Sequence, residues 1–284
     1  MKMTNHCIII LSILSALFVK TNAIAQIKQK RLSVIIPCHY KHAQHLYNLI
    51  ETYEEQTVLP DEVIISLSES HKVDSDIINN VENRNWQFPV KLLRTERQAY
   101  AGKNRNIACK EAQGDIFLCQ DADDLPHPQR VEIVKHFFQE YDVDLLMHQF
   151  IYLGSFVSYD ISNVAFTFAK NIEETTYLNG NKNKIPAGEI AISSRVFEYI
   201  WWPNIKRTED EQFNKNFFEK FDTGIVLLVP LVKYRAYLST SPMIAFRGYL
   251  RLRLLLPILL GIFVVFLIFS RYLLYHNRNK KNSK

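Results

Sequence analysis

Cysteine is scarce in this sequence: 4 in 284 residues, at Cys7, Cys38, Cys109 and Cys119. Cys7 falls in an N-terminal apolar run, which leaves an odd number at irregular spacing for the folded part. That pattern excludes both a disulfide framework and a cysteine-built zinc site. Charge of one sign is scarce too. The 34 basic residues exceed the 29 acidic ones by only 5, and much of that excess sits in a short C-terminal tail. No face is basic enough to imply nucleic-acid binding. Internal repeats and low-complexity linkers are absent. With 48% hydrophobic and 22% charged residues, disordered, collagen-like and coiled-coil chains are excluded as well. The length suits one ordinary domain or two small ones.

The apolar residues are unevenly placed. Met1-Lys2-Met3 is followed by an apolar stretch from Cys7 to Val19 and then by Ala23-Ile24-Ala25. This order of charged start, apolar core and small-x-small site predicts a signal peptide or signal anchor over 1–25. A second apolar segment runs from Leu254 to Ser270 and reaches Tyr275 if Arg271 snorkels. It has the roughly 20 residues of a bilayer-spanning helix. Tyr272 and Tyr275 suit the interface, and the basic tail 276–284 suits a cytoplasmic flank. The expectation is a membrane protein with one transmembrane helix over 254–275. A cleaved leader would put the domain on the extracytoplasmic side, the preferred reading. An uncleaved anchor followed by Lys20, Lys28, Lys30 and Arg31 would keep it cytosolic.

Between these segments lies a domain over about 31–245, divided by a turn-rich loop, Asn179 to Lys184. Leu32 to Pro37 predicts a strand stopped by its proline. Further strands are predicted at Glu62–Leu67, Val90–Arg94, Asp115–Gln120 and Val143–Phe150, with helices at His45–Glu54, Lys103–Ala112 and Pro128–Tyr141. This alternation argues for an α/β fold, a parallel sheet with helices on both faces. Ligands of such sheets bind beyond the carboxyl ends of the strands. The loops that matter therefore start at Pro37, Ser68, Thr95 and Asp121.

The fourth strand runs into Asp121-Ala122-Asp123-Asp124. Crowded carboxylates repel, and a divalent cation removes the conflict. Mg²⁺ and Mn²⁺ take one or two carboxylates plus substrate phosphates. An isolated Asp-x-Asp is more often a solvated turn capping a helix; this one directly follows an apolar strand.

Here the sequence resembles a family 2 glycosyltransferase, which has the GT-A fold, a Rossmann-like mixed sheet binding nucleotide-diphospho-sugars. Four blocks carry the resemblance. They are Ser33 to Pro37; Ala101-Gly102-Lys103-Asn104-Arg105-Asn106-Ile107-Ala108, leading through Gly114-Asp115 to the aspartates, with Pro128 and Arg130 beyond; Thr208-Glu209-Asp210; and Pro230 to Arg235. Two stretches depart from the family pattern. Ser66-Leu67-Ser68-Glu69-Ser70 stands where aspartates usually contact the nucleobase, and Cys38-His39-Tyr40-Lys41 replaces a Thr-Tyr-Asn-like turn.

The resemblance implies an inverting transfer from a nucleotide-diphospho-sugar to a carbohydrate or other hydroxyl acceptor, with Mn²⁺ or Mg²⁺. Asp123, with Asp121 or Asp124, would hold the cation. Pro37, His39, Glu69, Lys103, Arg105, Asp121 and Gly188 would line the donor site, the two basic residues facing the diphosphate. Asp210 would be the general base, with Glu209 orienting the acceptor or raising the base's pKa. Thr208 and Glu211 also fit a helix capping box, which would present Asp210. His39 is placed near the nucleobase. His39, His42 and His45 have the spacing of a zinc site, but it spreads them over nearly a full helical turn and disfavours one; His42 and His45 are placed on a helix surface. Trp201 and Trp202 are candidates for core or for sugar stacking, and Gln98 and Tyr100 for the donor pocket. A nucleotide-sugar-binding or membrane-tethered interaction protein of this fold without turnover is the second reading. A nucleotidyltransferase is disfavoured, since Cys38-His39-Tyr40 is not a Gly-rich basic loop.

Overall fold

Alternation with period two decides which side of the sheet each strand residue serves. In β1 (Leu32–His39), Leu32, Val34, Ile36 and Cys38 enter one core while Ile35 enters the other. β2 (Glu62–Ser68) and β4 (Ile116–Cys119) divide in the same way, with Ile64, Phe117 and Cys119 on the second side. The first core is closed by α1 (Leu46–Glu54), α2 (Ser75–Glu82) and α4 (Arg130–Glu140). The second is closed by α3 (Ala101–Glu111) and α6 (Glu209–Lys220). The expected helices on both faces are therefore present.

The computed structural model describes residues 29–152, 154–178 and 190–234. The leader, the 179–184 loop, Gly188, the 254–275 span and the basic tail lie outside them. Among the described residues no helix is long and apolar enough to cross a membrane.

The remaining elements are β3 (Val90–Thr95), β5 (Leu125–Pro126), β6 (Leu145–Ile151), β7 (Phe166–Ala169), α5 (Ile172–Leu178), β8 (Ile190–Ser193) and β9 (Gly224–Lys233). The described strands form one sheet in the order β3-β2-β1-β4-β8-β6-β9-β5, with β7 also on β9. The parallel arrangement expected from the alternation holds for β1 to β4. Beyond them the sheet is mixed: β8 runs antiparallel to both β4 and β6. Antiparallel neighbours need no crossover helix, and the clean strand–helix alternation fades after β6 accordingly.

β1 does not stop at Pro37 but continues to His39. Ile35 faces β4, where its carbonyl accepts from the Gln120 N–H at 3.0 Å. Pro37, two residues on, faces the same side, and the β4 pairing has ended at Ile35–Cys119. The missing proline N–H therefore costs the ladder nothing.

Candidate active site

Past the carboxyl ends of β1, β2 and β4, the side of the sheet that faces α3 turns from apolar to polar. Ser66 and Ser68, one alternation after Ile64, meet the buried Asn104 of α3. Ser66 Oγ donates to Asn104 Oδ1 at 2.9 Å, and Asn104 Nδ2 donates to Ser68 Oγ at 3.2 Å. Asn104 also donates to the Ala99 carbonyl at 3.3 Å. One amide thus pins the start of α3 to β2.

Arg105 follows on the same helix and is 2% exposed. Its guanidinium donates to Asp121 Oδ1 at 2.8 Å and to Glu209 Oε1 at 3.2 Å. Burial works against the charge of Arg105, yet the surrounding anions, Asp121 and Glu209 among them, outweigh it and raise its pKa. Arg105 thus joins the acidic turn after β4 to the first residue of α6. Its Nε has no partner among the described residues, at a typical cost of about 1–3 kcal/mol. Gly102 allows this closeness. A Cβ there would lie 2.7 Å from the Pro203 carbonyl oxygen and 3.2 Å from Glu209 Cγ. Asn106 completes the seam by bonding both backbone groups of Trp202, at 2.8 and 3.1 Å.

The cavity these elements enclose is about 230 Å³. Asn104, Arg105, Asp121, Ala122, Asp123 and Glu209 line it together with Pro37, His39, His42, Ala99 and Ala101. His42, expected on a helix surface, has Nδ1 3.3 Å from Asp123 Oδ2. It lies in a 3₁₀ turn, Tyr40–His45, rather than in the helix that its spacing suggested.

The three aspartates separate. Asp121 and Asp123 line the cavity, whereas Asp124 is buried and is not among its lining residues. Among the described residues, no three His, Cys, Asp or Glu side chains converge as a metal set. Two cavity-lining carboxylates, one of them held by Arg105, still match the donor set that Mg²⁺ or Mn²⁺ completes with phosphate oxygens and water. Asp123 with Asp121 therefore fits such a cation, and Asp124 does not.

Thr208 takes the N-cap position of α6 but does not form its half of a capping box. Its backbone is left-handed, φ 62°, and its hydroxyl donates instead to the Arg207 carbonyl at 2.6 Å. Asp210 Oδ1 accepts from the Glu211 N–H at 2.8 Å. Burial pushes the Asp210 carboxyl above its ordinary value, and the Glu209 carboxylate adds to the rise. Of this pair, Glu209 lines the cavity and Asp210 does not.

His39 Nε2 sits 2.8 Å from Glu69 Oε2. Glu69 has left-handed backbone, φ 54°, and its carboxylate also pairs with Lys72. The Lys72 ammonium, with His39 behind it, holds the Glu69 carboxyl below the usual range. Lys72 Nζ lies over the Tyr40 ring, 4.9 Å from its centroid.

Other expected residues are elsewhere. Lys103 is exposed and does not line the cavity, because two helical steps, about 200°, turn it away from Arg105. Arg105 is engaged by carboxylates rather than left open for a phosphate. Gln98 and Tyr100 are not among the lining residues, whereas Ala99 and Ala101 are. Trp202 is core, stacked on Phe213 at 4.3 Å. Trp201, 38% exposed, lines a separate groove of about 430 Å³ with Tyr199 and Lys220. The sequence reading missed Asn104 and His42. A signal existed for Asn104: serines alternating through an apolar strand need a polar partner on one face.

This arrangement, a mixed sheet with its polar cavity beyond the parallel strand ends and paired carboxylates after the fourth strand, defines a GT-A fold. Residues 33–201 match the family Glycosyl transferase family 2, and the chain belongs to it. A protein of Haemophilus influenzae described as an uncharacterized glycosyltransferase is 31% identical over 103 residues, 36% of this chain and 33% of that protein. The match thus spans about a third of that relative's length. The crystal structure of S. aureus TarS 1–349 with UDP-GlcNAc is similar at TM-score 0.54 and 18% identity, over 69% of this chain and 55% of that one. The complex of the same fragment with UDP gives 0.53 at 18%, over 69% and 57%. At that identity the likeness shows the fold.

Proposed function

We propose that this protein transfers a sugar from a nucleoside-diphosphate donor to the hydroxyl of a carbohydrate or other acceptor, with inversion and with Mn²⁺ or Mg²⁺. The observation that carries this reading is a cavity lined by Asp121, Asp123 and a third acid, Glu209, which Arg105 joins to Asp121. The UDP and UDP-GlcNAc complexes of TarS support the choice of donor class.

Asp123 and Asp121 would hold the cation, which supplies Lewis-acid stabilisation of the leaving diphosphate when bound. Asp210, next to the cavity-lining Glu209 in the first turn of α6 and with its carboxyl raised by burial, would take the proton of an acceptor hydroxyl seated at the cavity rim. The acceptor oxygen then bonds to the anomeric carbon from the face opposite the leaving group. The bond from that carbon to the diphosphate oxygen breaks, and the nucleoside diphosphate leaves with its electron pair. Glu209, fixed by Arg105, orients the acceptor beside the base. His39 and Glu69 close the donor end. The apolar segment 254–275 would anchor the enzyme in a membrane; resistance of the full chain to alkaline extraction, lost on deleting 254–284, tests that part.

Titration of UDP into the full chain tests the whole. Binding in Mn²⁺ that disappears in EDTA and in Asp123→Ala is expected. Equal affinity with and without chelator overturns the metal role, and no binding under either condition of UDP, GDP, ADP or dTDP overturns the donor class.

A further inference from the structure

We propose that His148 is a positioning residue for the acidic turn after β4, acting through Arg130 and Gln120. All three side chains are fully buried. Arg130 Nε donates to His148 Nε2 at 3.0 Å. That ring nitrogen must therefore be the acceptor, which leaves the proton on Nδ1 to be donated to the Gln149 carbonyl at 2.9 Å. The histidine is thus fixed as one neutral tautomer. Burial, and then the Arg130 charge, hold its pKa well below the ordinary value.

With Nε anchored, the planar guanidinium has a set orientation. Its Nη1 donates to Gln120 Oε1 at 2.5 Å and its Nη2 to the Cys119 carbonyl at 2.8 Å. The Tyr53 hydroxyl of α1 donates to the same Gln120 oxygen at 3.1 Å. Gln120 Nε2 then donates to the Asp121 carbonyl at 2.9 Å. The carbonyls on both sides of Gln120 are held, so the peptide planes that aim Asp121 and start the turn are set from beneath.

The strand itself is shaped for this. The β6–β9 register shifts between His148 and Gln149 and again before Phe150. Such irregularities re-aim side chains next to functional sites. A buried neutral imidazole that touches neither the cavity nor the acids has its role in what it orients.

The ligand readout rests on the proposed donor class, so a second readout is independent of it. Full-length His148→Leu and His148→Gln would be compared by hydrogen exchange of the amides of 119–124, by UDP affinity in Mn²⁺ and by thermal midpoint. Glutamine keeps an acceptor for Arg130 Nε; leucine does not. In the leucine variant, turn exchange should accelerate and UDP affinity fall about tenfold, as losses behind a metal site typically do. Both should largely return with glutamine. A lower midpoint with unchanged turn exchange would overturn the proposal. If wild type binds no UDP, the uridine donor fails and the exchange comparison still decides the role of His148. If the leucine variant does not fold, glutamine against asparagine, whose amide is too short to reach Arg130, makes the same comparison.

Discussion

The two acidic blocks reach the cavity by opposite means. The turn 121–124 grows out of a strand buried on both faces and is fixed from below by Arg130, Gln120 and Tyr53. The block at 208–211 opens an amphipathic helix near the surface, behind a left-handed residue whose side chain makes no cap bond. What sets its distance from the first block is Arg105 and the close approach at Gly102. The first block is thus built into the sheet. The second is attached to it through the buried Arg105, and that bridge is where the two are most easily separated.

Arg105→Met should have the largest effect. It leaves Asp121 and Glu209 without their shared cation, and removing one member of a buried pair costs about 3–5 kcal/mol. Denaturant unfolding should show that loss, and UDP affinity should fall with it. Unchanged stability would mean that the blocks are joined by other contacts.

Asp210→Asn comes next and separates the two sides chemically. Turnover should drop about 10²–10⁴-fold, while UDP affinity in Mn²⁺ stays within about threefold. A parallel loss of UDP binding would assign Asp210 to the donor side or to the fold. Full turnover would pass the base role to Glu209.

How far these blocks can be read from sequence differs in the same sense. Strands β1 to β4 and the face each residue serves follow from period-two alternation, and the Asp121/Asp123 pair follows from its place after an apolar strand. The bridge through Arg105 does not follow. It joins residues 104 positions apart, and a buried arginine with two carboxylates looks, in sequence, like one open to phosphate. The capping box at Thr208 fails because that residue takes up left-handed backbone and its side chain makes no cap bond, which the residue types do not announce. His42 escaped because a helix was assumed where the chain makes a 3₁₀ turn.

The pH profile sharpens the comparison further. The Asp210 carboxyl is raised above its ordinary value of 3.8, first by burial and then by Glu209. Since the base must be ionised, kcat/KM should fall on acidification through a limb lying above that value. Glu209→Gln removes a like charge, so the limb should move to lower pH. A shift the other way would show that Arg105, freed of Glu209, had lost its hold near Asp210.

Lys103→Ala should have the smallest effect. The side chain is exposed and outside the cavity, so stability should change by no more than about 0.5 kcal/mol. UDP affinity should match wild type. A clear loss would restore Lys103 as a phosphate contact and place the donor outside the cavity described.

The three described thiols give the molecule an internal clock. Cys38 packs in the core under α1, whereas Cys109 and Cys119 pack in the core under α3. Burial raises all three, Cys119 to about 12, so little thiolate exists in the native state. An alkylating reagent can therefore mark them only when a core opens. The order in which Cys38 and the Cys109/Cys119 pair are marked reports which layer of helices leaves the sheet first, without any introduced probe.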